Sequence, residues 1–126
     1  MKTIREGVQK LKDTELLLAN EANPLFRSEH EGYAVILEEY DELEDDMNEI
    51  SIAMDALWDH ITSDEPAPDI ARELRKWAIE AACEAIQVAA MAEKYIKSQD
   101  YIQCLRQFAK ISKKFEVKID IKKKED

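Results

Sequence analysis

Between Ser28 and Thr62, apolar side chains recur in alternating steps of four and three: Ile36, Tyr40, Leu43, Met47, Ile50, Met54, Leu57, Ile61. A strand alternates every second residue and cannot produce this pattern. The spacing predicts one long helix with a continuous seam, as in a bundle or coiled coil. "SEHE", Ser28 to Glu31, reads as a capping box that opens the helix. "TSDEPAP", Thr62 to Pro68, closes it with two prolines and several turn formers. A second seam, Leu74, Ala78, Ala81, Ala85, Val88, Ala92 and Tyr95, predicts a helix from Asp69 as N-cap to about Lys97. Its alanines would let a neighbouring helix approach closely.

Ile4, Val8, Leu11 and Leu18 predict an earlier helix from about Thr3 to Asn20, broken by "NEANP". "KSQD", Lys97 to Asp100, reads as a break before a fourth helix from about Asp100 to Phe115. In "FEVKIDIKKKED", Val117, Ile119 and Ile121 alternate like a strand, but a lone strand has nothing to pair with. Residues 116–126 are therefore read as a basic tail. The expected fold is all-α: an antiparallel helical bundle with one long central helix, in a single domain over 1–126. The second helix would span about 50 Å. One small domain cannot cover such a rod, so a homodimer or higher oligomer is expected to complete the bundle.

Two glycines and three prolines in 126 residues agree with few turns and long helices. With 45% apolar and 37% charged residues the chain falls in the soluble globular class. A net charge of −10 disfavours direct binding to nucleic-acid phosphates. Cys83 and Cys104 form no disulfide framework and suit a reducing compartment. No apolar run reaches the roughly 18 residues of a membrane span, and "MKTIREGVQKLKD" has no apolar signal core. A cytoplasmic protein without membrane attachment is expected.

Charge is distributed unevenly. From Ser28 to Ala71 there are fifteen acids and no Lys or Arg. Like charges at i,i+4 cost a few tenths of a kcal/mol each, so a cation or another helix should relieve them. Glu39, Glu42, Asp46 and Glu49 form one stripe beside the apolar seam, whereas Glu38, Asp41, Glu44 and Asp45 point elsewhere. In the next helix Glu84 is the only charge between Ala81 and Ala92. Glu80, Glu84 and Gln87 share a face with Trp77 and Met91. Two readings stand. The acids form a solvated face, with Glu84 paired to an Arg or Lys. Or the two helices build a carboxylate metal site, as bundles do. All-oxygen donors suit Mg²⁺ or Mn²⁺. His30 and His60 lack a Cys or His at ligand spacing, so zinc is not expected.

"HEGYAVILEE" (His30 to Glu39), running into "EEYDEL", and "EAIQVAAMA" (Glu84 to Ala92) one helix later resemble the MazG-like all-α nucleoside triphosphate pyrophosphohydrolases, in particular the small phage-type members. The likeness covers about Ser28 to Tyr95, roughly half the chain, with the core motifs placed within about 28–98. It implies an E-x-x-E motif at Glu39 and Glu42 and an E-x-x-D motif beginning at Glu84, whose carboxylates hold Mg²⁺. Gln87 departs from the pattern, since the family more often has aspartate there. A convincing match to the family's basic downstream nucleotide-binding motif is missing. The resemblance implies cleavage of a (deoxy)nucleoside triphosphate to the monophosphate and pyrophosphate. The metal ligands would be Glu39, Glu42, Glu84 and Gln87, with Glu38 as first and Glu80 as second choice of base. Arg72, Arg75, Lys76 and Lys94 are read as partners of the acidic helix before phosphate contacts. Trp77 is read as core before base platform. The rival expectations are a catalytically silent acidic bundle that binds a protein, and an acidic mimic of nucleic acid.

Overall fold

A computed structural model describes residues 2–21 and 23–125. The described chain is all-helical: α1 (Lys2–Ala19), α2 (Glu29–Thr62) and α3 (Pro68–Glu125). No described helix is long and apolar enough to cross a membrane.

Local chemistry sets both ends of α2. Ser28 has extended backbone and its hydroxyl accepts from the Glu31 N–H at 3.1 Å. The Glu31 carboxylate reaches back to the Arg27 N–H at 3.2 Å, one residue earlier than a standard capping box would place it. At the other end Asp64 adopts a left-handed φ of 55°. The Glu65 N–H then bonds the His60 carbonyl, and the Asp64 N–H bonds that of Ile61. This is a Schellman closure, with aspartate in the place usually taken by glycine. Pro68 opens α3 at a position where its missing N–H costs nothing. Asp69 therefore sits inside the first turn rather than at the cap, 2.7 Å from Arg72.

α3 runs for 58 residues without the expected break at "KSQD". Neither Gly nor Pro follows Pro68, so nothing in the backbone stops it. Ser98 is buried and satisfied in place. Its hydroxyl donates to the Lys94 carbonyl at 2.6 Å and accepts from the Phe26 N–H at 2.8 Å. The fourth helix is thus the continuation of the third. The basic tail is helical as well, through Glu125, and Asp126 lies outside the described residues.

α2 and α3 form an antiparallel hairpin. Glu29 meets Arg106 near one end, and Ala53 and Ile70 line one cavity near the other. α1 also packs on α3, with Lys12 bridging to Glu93 at 2.9 Å. The main core is small: Leu16, Phe26, Ala90 and Met91, surrounded by Ala19, Val35, Ile36 and Tyr95.

The face that α2 turns to α3 is set by small residues rather than large ones. Gly32 and Ala53 are its two buried positions, three heptads apart, and Glu39 and Asp46 fall between them at the same spacing. Gly32 is required there because an added Cβ would lie 2.6 Å from the Tyr95 ring and 3.0 Å from the Phe26 ring. The expected seam consequently points largely away from α3. Tyr40, Met47, Met54 and Ile61 are each exposed by half or more, while Leu43, Ile50 and Leu57 are partly covered at its edge. On α3 the inner stripe is Leu74, Trp77, Ala81, Glu84, Val88, Met91 and Tyr95. Ala78 and Ala85, expected in the seam, are exposed.

Candidate metal centre

The small-residue face of α2 carries Glu39 toward α3, and Glu42 follows one turn later. From α3, Glu84 comes to meet them. One carboxylate oxygen from each of the three lies within 4.8 Å of the others. Gln87 completes the group. With its amide nitrogen turned inward it donates to Glu39 and, at 3.1 Å, to Glu84. Turned over, the same amide would add a fourth oxygen to the three carboxylates.

Like charges have been forced together here. Glu84 is pushed up to about 7, first by burial, then by its hydrogen bond with Glu42 and by the charges of Glu42, Glu39 and Asp46. Glu39 is raised by burial, and by Glu42 and Glu38, against a hydrogen bond with Glu84 that lowers it. Glu15 of α1 adds further repulsion at Glu39, a contribution that the pattern of α2 and α3 alone does not reveal. Among the described residues, the ion pairs of Lys12, Arg72, Arg106 and His60 are made elsewhere. A proton held on Glu84 relieves the cluster in part. Three anionic oxygens and a neutral amide also fit a hard divalent cation such as Mg²⁺ or Mn²⁺.

Of the six residues singled out in the sequence, four converge: Glu39, Glu42, Glu84 and Gln87. Glu38 and Glu80 are exposed, each near the cluster in sequence but outside its set of converging oxygens. Asp46 faces the same groove and acts on Glu84 through its charge.

Farther along the groove, toward the α2–α3 turn, lies a cavity of about 270 Å³ lined by Ile52, Ala53, Ala56, Ile70 and Trp77, with Glu49, Asp69 and Glu73 also on its walls. Glu42 and Glu49 are two helical turns apart, about 10 Å. Residue size alone hints at this hollow, since Ala53 and Ala56 leave room opposite Trp77. Trp77 is partly buried between α2 and α3, and the Lys76 ammonium lies 4.8 Å from its ring centre. Arg72 is held by Asp69, and Lys94 is buried with its ammonium 4.7 Å from the centre of the Phe26 ring.

No family model matches the chain, and no curated protein or solved structure matches it, so its functional reading rests on the carboxylate geometry and the motif resemblance.

Proposed function

We propose that the chain is a Mg²⁺-dependent pyrophosphohydrolase that cleaves a nucleoside or deoxynucleoside triphosphate to the monophosphate and pyrophosphate. The observation that carries this reading is the convergence of Glu39, Glu42 and Glu84 with no basic partner among them. A triphosphate is strongly anionic and would be repelled by such a site. A divalent ion held by Glu39, Glu42, Glu84 and the Gln87 amide oxygen would offset both sets of charge and stabilise the transition state. Mn²⁺ suits the same donors.

The chain's own groups divide the remaining work. Glu38 is assigned as the base that takes the proton of the attacking water, with Glu80 as second choice. Both are exposed to solvent beside the cluster. Lys76, beside Trp77, is assigned as a phosphate partner, because Arg72 is already engaged by Asp69. The cavity against Trp77 is assigned to the base, whose apolar faces suit its lining. Two exposed free thiols, Cys83 and Cys104, fit a cytoplasmic protein. The extensive apolar exposure of α2 supports a homodimer or larger assembly.

A second reading has one observation in its favour. The exposed seam Tyr40–Met47–Met54–Ile61, edged by carboxylates, also suits a catalytically silent module that binds another protein.

The test is turnover of a panel of NTPs and dNTPs with Mg²⁺, read as release of pyrophosphate and monophosphate, for the wild type, Glu39→Ala and Glu84→Ala. Wild-type turnover lost in both variants supports the reading. No turnover of any nucleotide, together with no Mg²⁺-dependent rise in Tm, would sink it. Turnover unaffected by either substitution would sink the site assignment.

A further inference from the structure

α3 does not stop where the hairpin stops. Its ion pair between Arg106 and Glu29, at 2.9 Å, lies at the N-terminus of α2. Beyond it the helix continues to Glu125, about 28 Å farther. On this overhang Phe108, Ile111, Phe115 and Ile119 fall on one side, and the first three are 70%, 65% and 64% exposed. A free helix of about 20 residues without tertiary packing is marginal in water. Between Gln107 and Glu125 seven lysines stand against three acids.

The outer face of α2 is its complement. Tyr40, Met47, Met54 and Ile61 are exposed over about 31 Å, close to the length of the overhang. Asp41, Glu44, Asp55 and Asp59 run along one edge of that stripe, all exposed. α2 contains twelve acids and neither Lys nor Arg. The total exposure points to a missing partner. The chain exposes 10007 Å², against about 6,900 Å² for a folded monomer of its mass. The excess of about 3,100 Å² per chain comes to about 6,200 Å² over two copies, enough to supply the roughly 2,000–5,000 Å² that an obligate interface buries in total.

The overhang cannot reach the outer face of its own α2. α3 is one continuous helix and carries the overhang past the first turn of α2. Joining two α2 outer faces would bring two acidic helices together. Opposite charge, matched length and matched apolar stripes select another arrangement. We infer that the lysine-rich overhang of α3 docks on the outer face of α2 in a second copy of this chain. The exchange is reciprocal about a two-fold axis, as in an isologous dimer. It stands independently of the proposed hydrolysis.

Sedimentation of the full chain tests this with two double variants, Phe108→Asp/Phe115→Asp on the overhang and Met47→Asp/Met54→Asp on the seam. The wild type sediments as a dimer, its dissociation constant rising about tenfold from low to molar salt. Each variant alone sediments as a monomer that retains the circular dichroism of the hairpin. Mixed together, the two variants keep one intact overhang–seam pair and form a one-to-one dimer. A second measurement needs no substitution. Zero-length carbodiimide cross-linking of mixed ¹⁴N and ¹⁵N wild type joins overhang lysines such as Lys114 and Lys118 to α2 carboxylates of the other copy. A monomeric wild type overturns the proposal, as does a dimer indifferent to the overhang substitutions. Failure of the mixture to complement, or cross-links confined to one copy, overturns it too. So does an overhang that binds anionic vesicles while the chain stays monomeric.

Discussion

With its amide nitrogen turned inward, Gln87 donates to the Glu84 carboxylate at 3.1 Å, one turn away on the same helix, and across the groove to Glu39. Gln87 thus acts as a neutral tie between two acids drawn from opposite helices. Its amide has two uses: nitrogen inward to bridge the acids, or oxygen inward to help hold a cation.

Replacing that tie with a charge tests it. In Gln87→Glu, a fourth carboxylate adds repulsion, and the metal-free protein should lose about 1 kcal/mol, or about 4 °C in Tm. The Mg²⁺ concentration at half-maximal thermal stabilisation should fall about tenfold, since the site gains charge. Differential scanning fluorimetry across a Mg²⁺ titration checks both. An unchanged Mg²⁺ midpoint would remove Gln87 from the ligand set.

Glu84 should make stability depend on pH. Its carboxyl is pushed from 4.5 up to about 7 by burial and by Glu42, Glu39 and Asp46. A raised acid pKa means that the folded state binds the extra proton between these values. The stability contributed by that proton is fully present below about 4.5 and is lost as pH rises to about 7. Without Mg²⁺, the wild type minus Glu84→Gln difference in Tm should therefore fall through this window and level off above it. Mg²⁺ competes with the proton, so its stabilisation should grow over the same range. A flat difference would show that the acids do not meet as described.

Gly32→Ala should destabilise the fold even though alanine favours helices by about 1 kcal/mol. The new methyl would sit 2.6 Å from the Tyr95 ring and 3.0 Å from the Phe26 ring. Overpacking of this kind costs about 1–3 kcal/mol. A net loss of about 1–2 kcal/mol is expected in urea unfolding, with recovery of a part in the double variant Gly32→Ala/Tyr95→Leu. An equally stable or more stable Gly32→Ala would mean that α2 and α3 are not in close contact here.

Ser98→Ala should cost about 1–3 kcal/mol, because it leaves the Phe26 N–H without its buried acceptor. The residues from Asn23 to Arg27 should then exchange amide hydrogens faster, while the centre of α3 does not. Faster exchange spread over all of α3 would instead mean that Ser98 holds the helix itself together.

The ends of α2 were legible in the sequence because caps are made by neighbours. Ser28 and Glu31 meet within one turn, and the prolines after Thr62 act on adjacent backbone. The absence of Gly and Pro after Pro68 is the signal in the sequence for the uninterrupted run of α3, and it outweighs the polarity of "KSQD". A polar tetrapeptide breaks a helix only when its side chains compete for the backbone, and Ser98 is instead satisfied by Lys94 and Phe26.

The meeting of Glu39, Glu42 and Glu84 was also foreseeable, since their spacing put them on facing stripes. What period and spacing could not decide was which side of α2 turns inward. A row of Tyr40, Met47, Met54 and Ile61 marks an apolar face of the helix, not what covers it. Tertiary structure decided that through Gly32 and Ala53, whose small size lets α3 approach and so carries Glu39 and Asp46 into the groove. By itself the sequence determined three things: helical content, the ends of α2, and an acidic stripe in register with Glu84. Only the packed hairpin raised the proton affinity of Glu84, because burial and repulsion depend on distances across helices that no local pattern contains.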